Sequence, residues 1–377
     1  MIIGIPKEIK NHEYRVAITP GGVKQFVGKN HPVYVEKDAG IGSGFSNEDY
    51  QSAGATITDT DEVYKKAEMI YKVKEILPPE YKYMREGLIV FTYHHSNAFA
   101  DMTHQLLNKK IIGIAYEDII DDAGNFPLLK PMSELAGMGG FLAAMNFSQS
   151  INGGNGTLLA RIHGVRTPVV SIIGAGAAGV GAAELAASFG NHVIILDIDI
   201  NKLEEVKYKL PANIELLYSD RNNLEKCLVA SDVIINCLLW SKTRKDHLIN
   251  REDLKLMKSG AIIVDVSCDD AGAVETCKST SHDDPVYEID SIIHYCVDNI
   301  PSAFSETATV ALCNVTLPYA LAIADKGCVK ALSDDSGLRR GLCFYFGKMT
   351  LEETSHKLSI PFVSPEIALQ VPPGIQI

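Results

Sequence analysis

Arg15, Lys74 and His95 are the side chains in this chain best suited to holding a small anion and moving a proton beside it. Arg15 sits in Asn11-His12-Glu13-Tyr14-Arg15-Val16, the loop that follows an apolar strand expected at 2–5. Lys74 closes an alternating strand at 69–73, and His95 closes one at 88–92 through Thr92-Tyr93-His94-His95. A guanidinium grips a carboxylate with two parallel bonds, and an ammonium bonds a carbonyl or carboxylate oxygen. An imidazole exchanges protons near neutrality. Three strands ending in Arg, Lys and His would align them on the sheet edge where open α/β folds receive ligands. Adjacent strand side chains point oppositely, so only one of His94 and His95 can readily face such a site.

A second group follows a buried strand at 261–266, in Val264-Asp265-Val266-Ser267-Cys268-Asp269-Asp270-Ala271-Gly272. Asp269 or Asp270 could orient a water or stabilise a positively charged imine, or either could cap the next turn. A third lies in 168–197, PVVSIIGAGAAGVGAAELAASFGNHVIILD. The β-branched run 168–173 reads as a buried parallel strand. Gly174 then permits a tight turn, Gly176 lets a pyrophosphate approach the backbone, and Gly179 lets the following helix pack closely on the strand. That helix would turn its unpaired N–H groups and positive dipole end toward phosphates. A strand at 192–196 runs into Asp197, eighteen residues beyond Gly179. Its carboxylate is placed to bond both ribose hydroxyls of NAD and to repel a 2′-phosphate. A bound dinucleotide, NAD rather than NADP, is the expectation.

The elements that must hold these groups alternate strand with helix twice. The first series has strands at 2–5, 33–36, 69–73, 88–92 and 111–115, with helical patterns at 20–30, 47–53, 79–86 and 98–108. Thr19 is a suitable N-cap, with Pro20 as first helical residue. The second series begins at 168 and continues through strands at 214–218, 233–236, 261–266 and 292–296. Such alternation implies parallel sheets covered by helices. An Ala/Gly/Met-rich helix opened by Ser133 over 133–149 would link the two series, and an apolar helix at 308–324 precedes a tail of helical patterns. The length of 377 residues favours two domains. The last residues must then pack back on the first domain and make it discontinuous.

A net charge of −12 argues against nucleic acid and anionic membranes as partners. The chain starts directly as a strand without a signal-like segment. Its uncharged stretch 167–183 is the glycine turn with its flanks. A cytoplasmic protein with no membrane contact is expected. The eight cysteines all fall at 227 or beyond without CxxC spacing, so reduced buried thiols are expected rather than disulfides or a metal.

Several motifs taken together resemble the alanine dehydrogenase family, with the nicotinamide nucleotide transhydrogenase α-subunit at greater distance. They are IGIPKEIKNHEYRVAITPGGV (3–23), YKVKE (71–75), FTYHH (91–95), PMSELAG (131–137), the GAGAAG turn, HDDPVYEIDSIIHYCVDNIPSA (282–303) and TLPYAL (316–321). The resemblance spans essentially the whole chain. It implies two doubly wound, Rossmann-like α/β domains with a cleft between them. The substrate domain would comprise 1–129 and 305–377, and the NAD-binding domain 130–304. It further implies reversible NAD-dependent deamination of L-alanine to pyruvate and ammonia by a homohexamer. Arg15 and Lys74 would then hold the substrate carboxylate and keto oxygen, His95 would be the acid/base, and Asp269 would assist at the amino-bearing carbon. Met132 would border the pocket, with Ser133 near the cofactor. Asp197 and Ser219 would bind the adenosine ribose, Asn299 would lie near the nicotinamide amide, and Lys202 and Leu238 complete the cofactor set. Three stretches depart from the family pattern. A Pro-Gly-Ala-Lys-Ala-Pro-like loop is replaced by the bulkier, more basic 239–246, which carries the only Trp. Asp-Gln-Gly-Gly becomes Asp269-Asp270-Ala271-Gly272, and Leu-Leu-Gly-Gly becomes Leu158-Leu159-Ala160-Arg161. Another L-amino acid or imine as substrate, or a homologue with reduced activity, is the alternative these changes raise.

Overall fold

Runs of three to six mostly apolar residues, bounded by Gly, Asp and Asn turns, build two sheets. The computed structural model describes residues 1–211, 214–240, 244–268 and 271–370. They fall into two units, one formed by Met1–Pro131 and the chain from Phe304 onward, the other by Met132–Ala303. The first unit opens with β1 (Ile3–Ile5), β2 (Val33–Glu36), β3 (Thr56–Thr58), β4 (Met69–Tyr71), β5 (Ile89–Thr92) and β6 (Ile112–Ala115). The second holds β7 (Val169–Ile173), β8 (His192–Asp197), β9 (Ile214–Tyr218), β10 (Val233–Asn236), β11 (Ile262–Asp265), β12 (Val286–Ile289) and β13 (Ile292–Tyr295). The chain then returns to the first unit and adds β14 (Leu342–Tyr345) and β15 (Lys348–Met349).

The sheet orders are β15-β14-β6-β5-β4-β1-β2-β3 and β12-β13-β11-β10-β7-β8-β9. β1 to β6 pair in parallel, as do β7 to β11 and β13. Burial on both faces explains the uninterrupted apolar runs of β4, β5, β10 and β11, every residue of which is buried. In each sheet the chain winds outward on one side of its first strand and then crosses to the other side. The first sheet reverses between β1 and β4, the second between β7 and β10. The loops leaving two such neighbours diverge and open a crevice at their carboxyl ends. Both sets of candidate residues map to these reversals.

Several expectations change. Residues 79–86 form no α-helix; Pro78–Tyr83 is a 3₁₀ segment, the tighter geometry suiting a short run opened by two prolines. The helix expected to start at Ser133 runs over Lys130–Phe147, so Ser133 lies in its first turn rather than at its cap; Pro131 is accommodated there because first-turn N–H groups lack intrahelical partners anyway. The tail is not wholly helical. β14 pairs antiparallel with β6 and with β15 through a two-residue turn, Phe346-Gly347, in which both residues have positive φ (47° and 84°). Phe is an unusual residue at a left-handed position, which hid this hairpin. Both sheets therefore carry antiparallel strands at one edge, β12 in the second.

Helix Ser305–Lys326 is long and apolar enough to cross a bilayer, but 56% of its apolar window is buried. Its Thr309 accepts from the Val16 amide (3.1 Å) and bonds Ser43 (2.8 Å), as befits a core helix of its unit. Six of the eight cysteines are buried, and Cys237 and Cys268 are half-buried.

Candidate active site

The first reversal gathers the three expected side chains. Arg15 follows β1, Lys74 follows β4 and His95 follows β5, three neighbouring parallel strands whose ends share one edge. The β4 ladder stops at Tyr71, so Lys74 belongs to the turn beyond the strand rather than to the strand itself. Arg15 is buried, and Glu13 takes one edge of its guanidinium, Nε to Oε1 at 2.7 Å and Nη2 to Oε2 at 2.6 Å. Burial works against its charge, but Glu13 outweighs that cost and the pKa is raised. Lys74 is 8% exposed. Among the described residues its ammonium has neither a hydrogen bond nor an ion pair. Its pKa is lowered first by burial and then by Arg15 and Lys10. A buried cation beside other cations is relieved by an anionic ligand.

His94 and His95 part ways. His94 is fully buried, its Nε2 lies 3.1 Å from the Val90 carbonyl oxygen, and its ring meets Phe344 edge-on. Burial lowers its pKa to about 4. His95 adopts φ +48° and keeps 38% of its side chain exposed. That left-handed backbone breaks strand alternation and turns the ring out over Tyr93, parallel at 5.8 Å. Burial, then the Lys74 charge, depress its pKa below the usual imidazole range. A neutral ring is the form that accepts a proton.

Two carboxylates not anticipated from sequence hold this edge. Glu8, past β1, accepts the amides of Val73 (2.6 Å) and Lys74 (3.2 Å) through Oε1, and its Oε2 lies 3.5 Å from the Lys72 ammonium. Burial raises its pKa to about 7. Glu117, past β6, accepts the His95 amide through Oε1 and the His94 amide through Oε2 (3.2 Å). Its Oε1 is also 3.9 Å from His95 Nδ1. A signal was available: each is a carboxylate just beyond the end of a buried parallel strand, where backbone N–H groups lose their ladder partners.

The second reversal carries the residues expected to hold the nucleotide. Gly174 has φ +107°, and a Cβ there would come within 3.2 Å of the Cys237 carbonyl oxygen and of Leu238 Cδ2. Leu238, past β10, therefore flanks the turn past β7. A Cβ on Gly179 would sit 1.9 Å from the Gly174 oxygen. A Cβ on Gly176 would meet nothing within 4 Å. Gly176 is also the N-cap of helix Ala177–Ser188, which no side chain caps. Open space before an uncapped helix start fits a pyrophosphate. Asp197 is buried and accepts the Ala175 amide (2.7 Å) and the Asp199 amide (2.9 Å), which fixes its carboxylate at the end of β8. Its carbonyl accepts the Ser219 amide at 2.9 Å, setting Ser219 alongside. Lys202 stands in the first turn of the next helix, 3.4 Å from the cap Asp199 through its amide.

The remaining candidates are spread along that unit. Met132 and Ser133 occupy the first turn of helix Lys130–Phe147, whose Gly137 packs against Ala178. Asn299 is buried past β13, with its carbonyl oxygen accepting from Ser302 (2.9 Å). Cys268 Sγ donates to the Val297 oxygen (2.8 Å), so the loop past β11 meets the loop that carries Asn299. Asp269 and Asp270 lie outside the described residues. One network escaped sequence reading: Asp265 accepts from Asn236 (3.0 Å) and from the Ser267 amide (3.1 Å), and Ser267 bonds the Leu238 carbonyl oxygen. It ties the loops past β10 and β11 together.

Known proteins place this arrangement. Residues 4–136 match the family model of the alanine dehydrogenase/PNT N-terminal domain, and 141–352 match that of the C-terminal domain. The chain is 44% identical over 371 residues to alanine dehydrogenase of Bacillus subtilis, covering 98% of each protein. It is 42% identical to that of Methanococcus maripaludis, covering 98% of this chain and all of the relative. Among solved structures, an L-alanine dehydrogenase superposes with a TM-score of 0.91 at 38% identity, over 95% of this chain and 99% of that one. A transhydrogenase from Sinorhizobium meliloti superposes at 0.79 with 20% identity, over 93% and 99%, and so shares the fold. With both domain models matched in order and relatives aligned nearly end to end, the chain belongs to the alanine dehydrogenase family.

Proposed function

We propose that this enzyme catalyses the reversible, NAD-dependent oxidative deamination of L-alanine: alanine, NAD and water give pyruvate, ammonium, NADH and a proton. The observation that carries the reading is Lys74, a buried ammonium with neither hydrogen bond nor ion pair among the described residues, set with Arg15 and His95 at the reversal of one sheet. In this reading Met1–Pro131 with the returning chain is the substrate domain, and Met132–Ala303 is the NAD-binding domain. Arg15, oriented by Glu13, and Lys74 bind the substrate carboxylate and the oxygen that becomes the keto group. Met132 borders the pocket. Gly174, Gly176 and Gly179 admit the pyrophosphate; Asp197, Ser219 and Lys202 serve the adenosine half, and Ser133, Leu238 and Asn299 the nicotinamide half. A bound nicotinamide supplies the acceptor for the hydride leaving the substrate Cα.

The protein's own task is proton traffic. Alanine must lose a proton from its ammonium group before the C–N bond can gain double-bond character. His95, neutral at working pH, takes this proton and passes it to solvent, where it is the proton of the overall equation. Water then adds to the iminium carbon while His95 removes its proton, and Asp269 assists at that carbon. His95 returns that proton to the nitrogen, and collapse of the carbinolamine expels ammonia, which takes the hydroxyl proton and leaves as ammonium beside the 2-oxo acid. Lys74 stabilises the oxygen as it gains negative character. Assembly as a homohexamer in the cytoplasm belongs to the same reading.

The test is NADH formation from a panel of L-amino acids, with NADP as control. Alanine should lead by at least ~10-fold, equivalent to about 1.4 kcal/mol of discrimination. A different leading amino acid would assign the altered loops 239–246 and 269–272 to substrate choice. No turnover with any of them would sink the reading.

A further inference from the structure

The side chains of the first reversal stand on loops beyond their strands, where the last backbone bond between the two inner segments runs from the Tyr93 amide to the Val73 carbonyl oxygen (3.2 Å). Something else must hold that backbone. In the order β6-β5-β4-β1, the two inner strands carry His95 and Lys74, and the two outer strands carry Glu117 and Glu8. Each outer carboxylate reaches across to the adjacent inner strand and accepts two consecutive amides, one of which belongs to the site residue itself. Glu8 is further fixed from behind by Lys72, which Glu80 holds at 2.8 and 3.0 Å.

We propose that Glu8 and Glu117 are positioning residues, an outer pair of carboxylates that aims Lys74 and His95 at one substrate. The inference rests on the reading that Lys74 and His95 face that substrate. Glu117 has the more demanding task. The left-handed backbone of His95 is unfavourable for a residue with a Cβ. Two amide bonds to one rigid carboxylate hold it there, and they keep the ring turned away from the core that claims His94. Releasing the clamp lets the backbone relax toward an extended conformation and swings the acid/base off its target.

The two clamps differ in a way that makes the proposal testable. Glu117 uses one oxygen per amide, so Glu117→Gln must turn an NH2 group against an N–H and lose one bond at unchanged volume. Glu8 uses a single oxygen for both amides, so Glu8→Gln keeps both bonds through its carbonyl oxygen; its NH2 then faces Lys72, an ammonium that Glu80 still holds, and the cost falls on stability rather than on the amide clamp. Glutamine should therefore be harmful at 117 and mild at 8, whereas alanine should be harmful at both.

The experiment measures kcat, KM for alanine, the pH profile, NADH affinity and melting temperature for the full-length Gln and Ala variants, with Lys74→Met and His95→Ala as references. Glu117→Gln is expected to lower kcat by ~10-fold or more, since misplacement of a reacting group by about an ångström costs up to ~100-fold. The limb of the pH profile set by Glu117 itself, placed near pH 8 because burial raises its pKa to about 8, should be lost in this variant. NADH affinity should be unchanged. Glu8→Gln should stay within ~3-fold, and Glu8→Ala should raise KM by ~10-fold through Lys74. Should Glu117→Gln not fold, Glu117→Asp, which keeps both acceptors one methylene short, is read in the same way. Variants at 8 and 117 that keep kcat, KM and pH profile, or lose activity only in step with melting, would overturn the proposal while dead reference variants left the functional reading standing. Active reference variants would overturn both.

Discussion

The two sheet reversals do the same job by opposite means. At the second, the ligand surface we propose is backbone: a glycine turn, an uncapped helix start, and one carboxylate pinned by two amides. At the first it is side chain: a guanidinium, an ammonium and an imidazole delivered from three strands and held by flanking carboxylates. Phosphates are bound alike in every dinucleotide, so a rigid backbone cradle suffices. A substrate that changes charge and protonation during reaction needs groups whose own protonation responds, and only side chains supply these. Shape decides one reversal; electrostatics decide the other.

Substitutions should separate them. The largest effect falls on the side-chain site: His95→Ala should cost ~1,000-fold in kcat while NADH still binds, as fluorescence titration would reveal. Lys74→Met should cost a similar factor in kcat/KM for alanine, because a substrate oxygen loses its charged donor. Loss of NADH binding by either variant would erase the division of labour.

The next effect is on stability and belongs to His94. Its folded pKa of about 4 lies below the unfolded value near 6.5, so the neutral ring's contribution is complete above pH 6.5 and is lost as pH falls toward 4. The difference amounts to about 3 kcal/mol across that window. Denaturant unfolding should show this contribution as the difference in slope between the wild type and His94→Asn, since the other buried groups that titrate there, Glu8, Glu117 and His95, are common to both. An unaltered slope would mean that His94 is not held neutral.

Smaller changes come from the backbone cradle. Gly179→Ala forces a Cβ to within 1.9 Å of a carbonyl oxygen and should lower the melting temperature, with about 1–3 kcal/mol of strain. Gly176→Ala meets no protein atom within 4 Å, so the fold should be untouched while NADH affinity drops by ~10-fold. Equal stability losses at both positions would show that Gly176 is a packing residue and not part of the cradle.

How much could be read in advance follows the same division. Gly174, Gly176, Gly179 and Asp197 were legible because a strand, a turn and a helix start impose their needs on consecutive residues. Arg15, Lys74 and His95 were legible as strand-end groups, although residue type left His94 and His95 open; the family resemblance chose His95, and the positive φ that turns it outward is announced by no residue type. Glu8 and Glu117 were hidden because their partners are amides 65 and 22 residues away. The hairpin at Phe346-Gly347 was hidden because its turn places an aromatic residue where Asn or Gly is usual. Ser133 has the chemistry of a cap, but the helix begins three residues earlier, at Lys130.

By itself the order of residues determined which strands are buried, where the nucleotide turn lies and which charges end the strands, for these are local consequences of periodicity, volume and backbone freedom. The tertiary structure alone decided that β1, β4 and β5 lie side by side, that His95 turns outward while its neighbour is sealed in the core, and which carboxylates secure them. Strand order and hydrogen bonds across tens of residues arise from packing the whole sheet, and no short stretch of chain contains that information.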